Sequence, residues 1–338
     1  MRYEVFVAQD DATTEWAIHR RAMEAARYWS GPDGRRSRWR HRAFSALLRL
    51  FERILRLTPL YRRGLRNALD LRLTEFEVSL AGLPVAFDGY RILHVSDTHL
   101  DSLPAIAEVA KRVLDRVEVD LLALTGDVHG QASHPVRLSV DLLALALSGV
   151  HVRDRRLAVL GNHDSVDMPE ALQRLGFETL VNRSVVLTRN GDSVRVTGLD
   201  DVHSFYTPQA RTTLEAKAEG FRIALVHSPE MADHAAAAGY ALYLCGHTHG
   251  GQICLPGGRI VFSQLVRCRH AASGLWREGS MVGYTTTGLG ISRPAVRFNT
   301  RGEAAVITLR HPRSRTEAIR ANGTDLLPSG AWPSDVAP

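Results

Sequence analysis

From Arg91 onward the chain alternates two hydrophobic patterns. Short apolar runs suited to buried strands fall at Arg91–Ser96, Leu121–Thr125, Leu157–Leu160, Val194–Leu199, Arg222–Val226 and Ala241–Leu244. Between them, Pro104–Val117, Pro135–Leu147, Thr207–Ala218 and Pro229–Ala238 read as helices, the first with proline near its start. Residues 281–287 and 304–309 read as late strands. Strands alternating with helices predict a layered α/β domain.

Upstream the pattern changes. Phe44, Leu47, Leu48, Phe51, Ile54 and Leu55 follow i, i+3, i+4, i+7 spacing and predict an amphipathic helix that Pro59 ends. Leu60, Tyr61, Leu65 and Leu69 extend the apolar character, with Arg62, Arg63 and Arg66 between them. An earlier helical stretch is interrupted at Gly31-Pro32-Asp33-Gly34. Three regions result: an Arg-rich helical extension over 1–72, the α/β domain over 73–311, and a tail over 312–338. The tail is rich in Ser, Pro, Gly and Ala and is expected to be disordered.

Charge sharpens the view of the extension. The whole chain carries a formal +6, yet residues 20–72 hold fifteen Arg against four acids. Three uses suit such a segment. It can be a helix packed on its own domain. It can be a helical hairpin lying through residues 40–70 on an anionic membrane surface, where each basic residue contributes roughly 1 kcal/mol. Nucleic acid is a less favoured partner, because the stripe is apolar rather than merely basic.

Composition excludes several classes. The 338 residues are 45% apolar and 23% charged, as in soluble globular proteins. Cys245, Cys254 and Cys268 are too few and too late for a disulfide framework, and no CxxC occurs. They read as reduced thiols of a cytoplasmic protein, not as a thiolate zinc site. No apolar run is long enough for a transmembrane helix. The opening MRYEVFVAQDDATTEW is acidic and does not resemble a secretory signal. The expected location is cytoplasmic, with peripheral attachment at the inner membrane face as the sharper form. Oligomeric state is not legible.

The chemistry-bearing residues are not scattered. Asp97-Thr98-His99, Gly126-Asp127, Gly161-Asn162-His163-Asp164, His227 and Gly246-His247-Thr248-His249 each follow an apolar run. Ligands of open α/β sheets bind beyond the carboxyl ends of strands, so five such clusters would meet on one rim. Carboxylate, imidazole and amide oxygen suit divalent Mn, Fe, Zn, Co or Ni. Two such ions about 3.5–4 Å apart neutralise a phosphate ester, generate hydroxide from a bridging water and hold attacking and leaving oxygens in line. Taken singly each cluster has a plainer explanation. Gly-Asn-His-Asp suits a turn or helix start, and His227 a core histidine. Five in order make coincidence a poor account.

These residues resemble the calcineurin-like metallophosphoesterases. The runs LPVAFDGYRILHVSDTHL (Leu83–Leu100), GHTHGGQICLP (Gly246–Pro256) and GLGISRPAVRF (Gly288–Phe298) are similar to the bacterial branch that includes the YkuE and YaeI phosphodiesterases. The likeness covers about residues 73–310. It implies a four-layer αββα sandwich, here with an N-terminal helical extension, and a phosphoester substrate. It implies two divalent ions, one on Asp97, His99, Asp127 and His249, the other on Asp127, Asn162, His227 and His247. His163 would be the imidazole beside the leaving group, oriented by Asp164. The reaction implied is attack of a metal-bridging hydroxide on a phosphodiester or pyrophosphate, with lipid-linked UDP-2,3-diacylglucosamine as one substrate. A soluble cyclic-nucleotide phosphodiesterase, a nuclease, a protein phosphatase and a non-catalytic metal-binding scaffold are the alternatives. Where many members carry Asp near position 130, this chain has Val128-His129-Gly130, and His129 is a candidate substrate contact. Gly302-Glu303 replaces a Pro-Glu pair, which affects a turn. Arg293 and Arg297 are candidate phosphate clamps, and Asp200, Asp201 and His203 candidate rim residues.

Overall fold

The computed structural model describes residues 4–26, 30–32, 34–35, 38–131 and 133–312. The tail beyond Pro312 and Asp33 of the predicted interruption lie outside the described residues, as does the Phe44 side chain. Helix α1 (Glu4–Ala26), a two-residue hairpin β1–β2 (Ser30–Gly31, Gly34–Arg35), α2 (Arg38–Arg56) and α3 (Pro59–Ala68) precede the sheets. The α/β region runs β3 (Leu71–Ser79), β4 (Arg91–Val95), α4 (Ala105–Val113), β5 (Glu118–Thr125), α5 (Val136–Ala146), β6 (His151–Val159), α6 (Met168–Gln173) and β7 (Phe177–Thr179). It continues with β8 (Arg183–Arg189), β9 (Asp192–Gly198), α7 (Pro208–Glu215), β10 (Phe221–Leu225), α8 (Ala232–Ala237), β11 (Leu242–Cys245), β12 (Gly274–Glu278), β13 (Met281–Thr285) and β14 (Gly302–Arg310).

Two six-stranded sheets form, in the orders β3-β14-β4-β5-β6-β7 and β12-β13-β11-β10-β9-β8. The period of two along each strand separates the layers. Ile92, Leu121, Ala123, Leu157 and Val159 of the first sheet meet Val194, Val196, Ile223, Leu225, Leu242 and Leu244 of the second, forming the core between the sheets. Leu93, Val95, Leu122, Leu124 and Ala158 face the other way, under α4, α5 and α6. Ala224, Val226, Tyr243 and Cys245 lie under α7 and α8. Helix, sheet, sheet and helix make the four-layer αββα sandwich.

Strands β4, β5 and β6 are mutually parallel neighbours in one sheet, and β9, β10, β11 and β13 in the other. Their carboxyl ends therefore share an edge in each sheet. Strands β3, β7, β8 and β12 are additional to the sequence expectations. β3, β7, β8 and β12 are partly solvent-facing, so they lack the continuous apolar run that marks the central strands.

The apolar stripe of α2 is not folded away. Leu55 is buried, but Leu47 is 61% and Ile54 56% exposed, and Leu57 beyond the helix is 88% exposed. Helix α3 packs by its back: Gly64 lies against Val296 and Phe298 with no room for a side chain, and its carbonyl accepts from the Arg297 N–H. No described helix is long and apolar enough to cross a membrane.

Candidate active site

All five clusters follow the strands as expected, after β4, β5, β6, β10 and β11. Backbone bonds stitch them together. The N–H of Asp97 donates to Gly126 O, that of His99 to Asp127 O, and that of Gly246 to His227 O. The turns are sharp. Asp97, His99, Asp127, His247 and His249 all adopt positive φ, between 35° and 72°. Such left-handed backbone in non-glycine residues costs on the order of 1–3 kcal/mol each and gathers at functional sites. Gly246 passes so close to the Asp97 carboxylate and Ser96 that a Cβ would collide with both. Gly161 passes Asp127 in the same way.

The side chains converge. Asp97, His99 and His249 present ligand atoms within 4.8 Å of one another, and so do Asp97, Asp127 and His227. His99 Nδ1 lies 2.8 Å from His129 O, which fixes it as the donor and turns Nε2 toward Asp127 Oδ2 at 3.4 Å. That Nε2 is buried without a hydrogen-bond partner. His227 Nδ1 lies 2.8 Å from Thr125 O, so its Nε2 faces Asp127 Oδ2 at 3.3 Å and Asn162 Oδ1 at 3.2 Å. His247 Nδ1 lies 3.0 Å from the same Asn162 oxygen. His249 Nε2 is 3.4 Å from Asp97 Oδ1. Carbonyls thus set the tautomers of His99 and His227, as outer partners of metal-binding imidazoles do.

The electrostatics suit a cation. Burial opposes ionisation of Asp127, but His227, His163 and His99 outweigh it and hold the carboxyl well below its usual value. Burial works to keep His227 neutral, yet Asp127 and Asp97 raise its pKa to about 10. Burial and the neighbouring imidazoles keep His247 and His249 well below the ordinary histidine value. Burial also opposes the charged form of His99, yet Asp127 and Asp97 raise its pKa as they raise that of His227. The carboxylates thus draw positive charge onto two of the four imidazoles, while the other two stay neutral.

His163 is exposed at the rim, its ring edge-on to His99 with centroids 5.0 Å apart. Asp164 does not touch that ring. Its carboxylate accepts from the backbone N–H groups of Asp127, Val128, His129 and Gly161, at 2.8 to 3.0 Å. It ties the loop after β6 to the loop after β5. Its effect on His163 therefore passes through the backbone, because four amides already occupy its oxygens.

Several outlying candidates are used otherwise. Arg297 is 0% exposed and donates to the carbonyls of His249, Thr287, Gly288 and Gly290, so no N–H pair is left to clamp a phosphate. Burial lowers its pKa to about 10. Arg293 is bonded to Gln131 Oε1. His129 is buried, with Nδ1 2.9 Å from Ser139 Oγ. The Asp201 carboxylate accepts from the N–H groups of His203, Ser204 and Phe205. His203 stands against His247, ring centroids 4.0 Å apart, with Nδ1 2.8 Å from Glu230. Asp200 faces away from the rim, toward α1, and receives Arg20 at 2.6 Å. Nothing in the apolar pattern announces Arg20; the only signal is Trp16, Arg20 and Glu24 at four-residue spacing on one helix face.

A sequence model of the calcineurin-like phosphoesterase family matches residues 90–251. YkoQ of Bacillus subtilis, described as an uncharacterized metallophosphoesterase, is 30% identical over 270 residues, covering 77% of this chain and 97% of its own. YkuE of the same organism, described likewise, is 29% identical over 70% of this chain and 85% of its own. The phosphodiesterase YaeI of Escherichia coli is 26% identical over 65% of this chain and 82% of its own. Sandwich, rim and relatives agree: this chain belongs to the calcineurin-like phosphoesterase family, and it is a metal-dependent phosphoesterase.

Proposed function

We propose that the chain is a binuclear phosphohydrolase cleaving a phosphodiester or pyrophosphate. Asp97, His99, Asp127 and His249 hold one divalent ion; Asp127, Asn162, His227 and His247 hold the other. The observation that carries this is the convergence of six further ligand-type side chains around Asp127, whose Oδ2 lies 3.4 Å from His99 Nε2 and 3.3 Å from His227 Nε2. Mn, Fe, Zn, Co and Ni all suit such donors. Bound ions supply positive charge against the phosphate and activate water near neutral pH. The chain's own residues do the rest. Asp127 faces both groups of ligands and is shared. His227 gives up the proton that its carboxylate neighbours attract when a cation takes over that role. His163, exposed beside His99, donates a proton to the leaving oxygen, and Asp164 fixes the loop that carries it.

The test is hydrolysis of a chromogenic diester after chelation and reloading with Mn²⁺. Chelated protein is expected to be inactive and reloaded protein active. His163→Ala is expected to lose about 10²–10⁴-fold in rate while still binding the ions. A reloaded wild type without hydrolysis, with any of these metals, would favour a metal-binding scaffold.

A second observation favours a lipid-linked substrate at an anionic membrane surface. Leu47, Leu50, Phe51, Ile54, Leu57 and Leu60 are exposed beside exposed Arg49, Arg53, Arg62 and Arg63. Leu255, Val261 and Val266, in the loop after His249, are exposed too. Both surfaces hang on one segment, because Phe298 meets Gly64 on one side and accepts from the Cys254 N–H on the other. An apolar face with a basic border is the pattern of a peripheral, in-plane contact. UDP-2,3-diacylglucosamine is one substrate of this kind, met at the inner membrane face. Sedimentation with phosphatidylglycerol vesicles, but not phosphatidylcholine vesicles, is expected. Equal turnover of soluble cyclic nucleotides or nucleic acid without vesicles would point to the soluble alternatives.

A further inference from the structure

Helix α1 lies outside the stretch matched by the family model, yet it reaches the loop that carries His163. One face of the helix makes the contact. Trp16 Nε1–H donates to Asp200 Oδ2 at 2.7 Å. One turn on, Arg20 is 1% exposed. Its Nη1 donates to Asp200 Oδ1 at 2.6 Å, and its Nη2 to the carbonyls of Asp164 at 2.7 Å and Gly161 at 3.2 Å. The guanidinium lies over the Phe205 ring, 3.6 Å from its centroid. One more turn on, Glu24 accepts from Arg20 Nε and from the Val166 N–H.

A buried ion pair is a poor device for stability alone, since well-packed apolar side chains of similar size often hold as well. What apolar side chains cannot do is fix the direction of two carbonyls. The two that Arg20 takes are the first and last of Gly161-Asn162-His163-Asp164. The inner side of the same loop is held by the Asp164 carboxylate on four amides. Arg297 offers the parallel: a buried guanidinium on the carbonyls of His249, Thr287, Gly288 and Gly290 holds the opposite side of the site.

We propose that Arg20 is a positioning residue for the reaction, clamping the Asn162–His163 loop from outside, and that α1 is thereby part of the active-site architecture. The proposal rests on the role of His163 put forward above. A displacement of about 1 Å at a reacting group can cost roughly 10²-fold in rate, so loss of the clamp should fall on the step that His163 serves.

The experiment uses the full chain and the double variant Arg20→Met/Asp200→Asn, which removes the cation and its buried counter-charge together; Arg20→Lys and His163→Ala accompany it. Two readouts are taken. The first is backbone hydrogen exchange of metal-free protein. Residues 161–166 are expected to exchange faster in the double variant, while β4 and β5 keep wild-type protection. The second is turnover by Mn²⁺-loaded protein of methyl p-nitrophenyl phosphate and methyl phenyl phosphate. The loss is expected to be about 10²-fold for the phenol leaving group, which needs the proton more, and about tenfold smaller for p-nitrophenol. Arg20→Lys keeps the charge opposite Asp200 but not the planar fork, and is expected to recover thermal stability without recovering that ratio. Wild-type exchange and wild-type rates in the double variant would overturn the proposal. So would exchange raised throughout the domain with equal losses on both substrates, or a double variant that does not fold, since these assign Arg20 to the fold alone. An inactive wild type, or an active His163→Ala, would instead sink the role of His163 and is recognised from those controls.

Discussion

In α1 a guanidinium is buried against two carbonyls and a carboxylate; in α2 and α3, Arg49, Arg53, Arg56, Arg62, Arg63 and Arg66 stand in solvent beside leucines that also face outward. Both helical regions belong to one N-terminal extension, but α1 holds two Arg against five acids while α2 and α3 hold nine Arg against one. Their environments separate them. Arg20 has a pre-arranged set of acceptors and no water, so it fixes geometry. Arg49, Arg53, Arg62, Arg63 and Arg66 are exposed and have no such acceptors among the described residues, while Arg56 meets Glu52 and Tyr61, so the former are free to meet an anionic surface. On the two proposals above, one extension carries two separable functions, one toward the loop of His163 and one toward an anionic surface. Removing everything before Leu73 would abolish both at once.

The strongest test of this division is deletion of residues 1–26 alone. Turnover of a soluble diester is expected to fall about 10²-fold, with vesicle binding kept. Full turnover would erase the distinction between the helices. Next in size, Arg297→Met should weaken Mn²⁺ affinity by about 10–100-fold, read by titration calorimetry, because its carbonyls belong to the His249 side of the site. A changed leaving-group ratio there, in place of changed metal affinity, would show that the two buried arginines do not divide the work. Smaller again, Ile54→Glu is expected to reduce partition onto anionic vesicles by about tenfold, as one exposed apolar side chain contributes about 1.5 kcal/mol on burial. Its turnover of soluble diester should match wild type within twofold, on the order of experimental scatter. The smallest contrast is in stability. Leu55→Ala, on the buried side of α2, should cost about 2 kcal/mol in urea unfolding, and Leu57→Ser no more than about 0.5 kcal/mol. Equal costs would mean that the outer stripe is covered after all.

The five clusters of the candidate site were readable from the sequence because each ends an apolar run. A strand in a parallel sheet delivers its next residues to a common edge, so order along the chain already implied proximity. Strands β4, β5, β10 and β11 were legible for the same reason, as both their faces are buried. β7, β8 and β12 were not, since half of each faces solvent and the apolar run is broken. Their existence follows from pairing with neighbours distant in sequence, which local pattern does not record.

By itself, then, the sequence determined the layered α/β class, the five clusters and the chemistry of their donors, because these depend on residue type and on contacts within a few positions. Only the tertiary structure decided how each arginine is used. Arg20, Arg297 and Arg53 are the same residue type, yet one holds the carbonyls of Gly161 and Asp164, one those of His249 and Thr287, and one faces solvent. The physical reason is that a guanidinium acts according to the acceptors and the water around it, and for Arg20 those acceptors lie about 140 to 180 positions away along the chain.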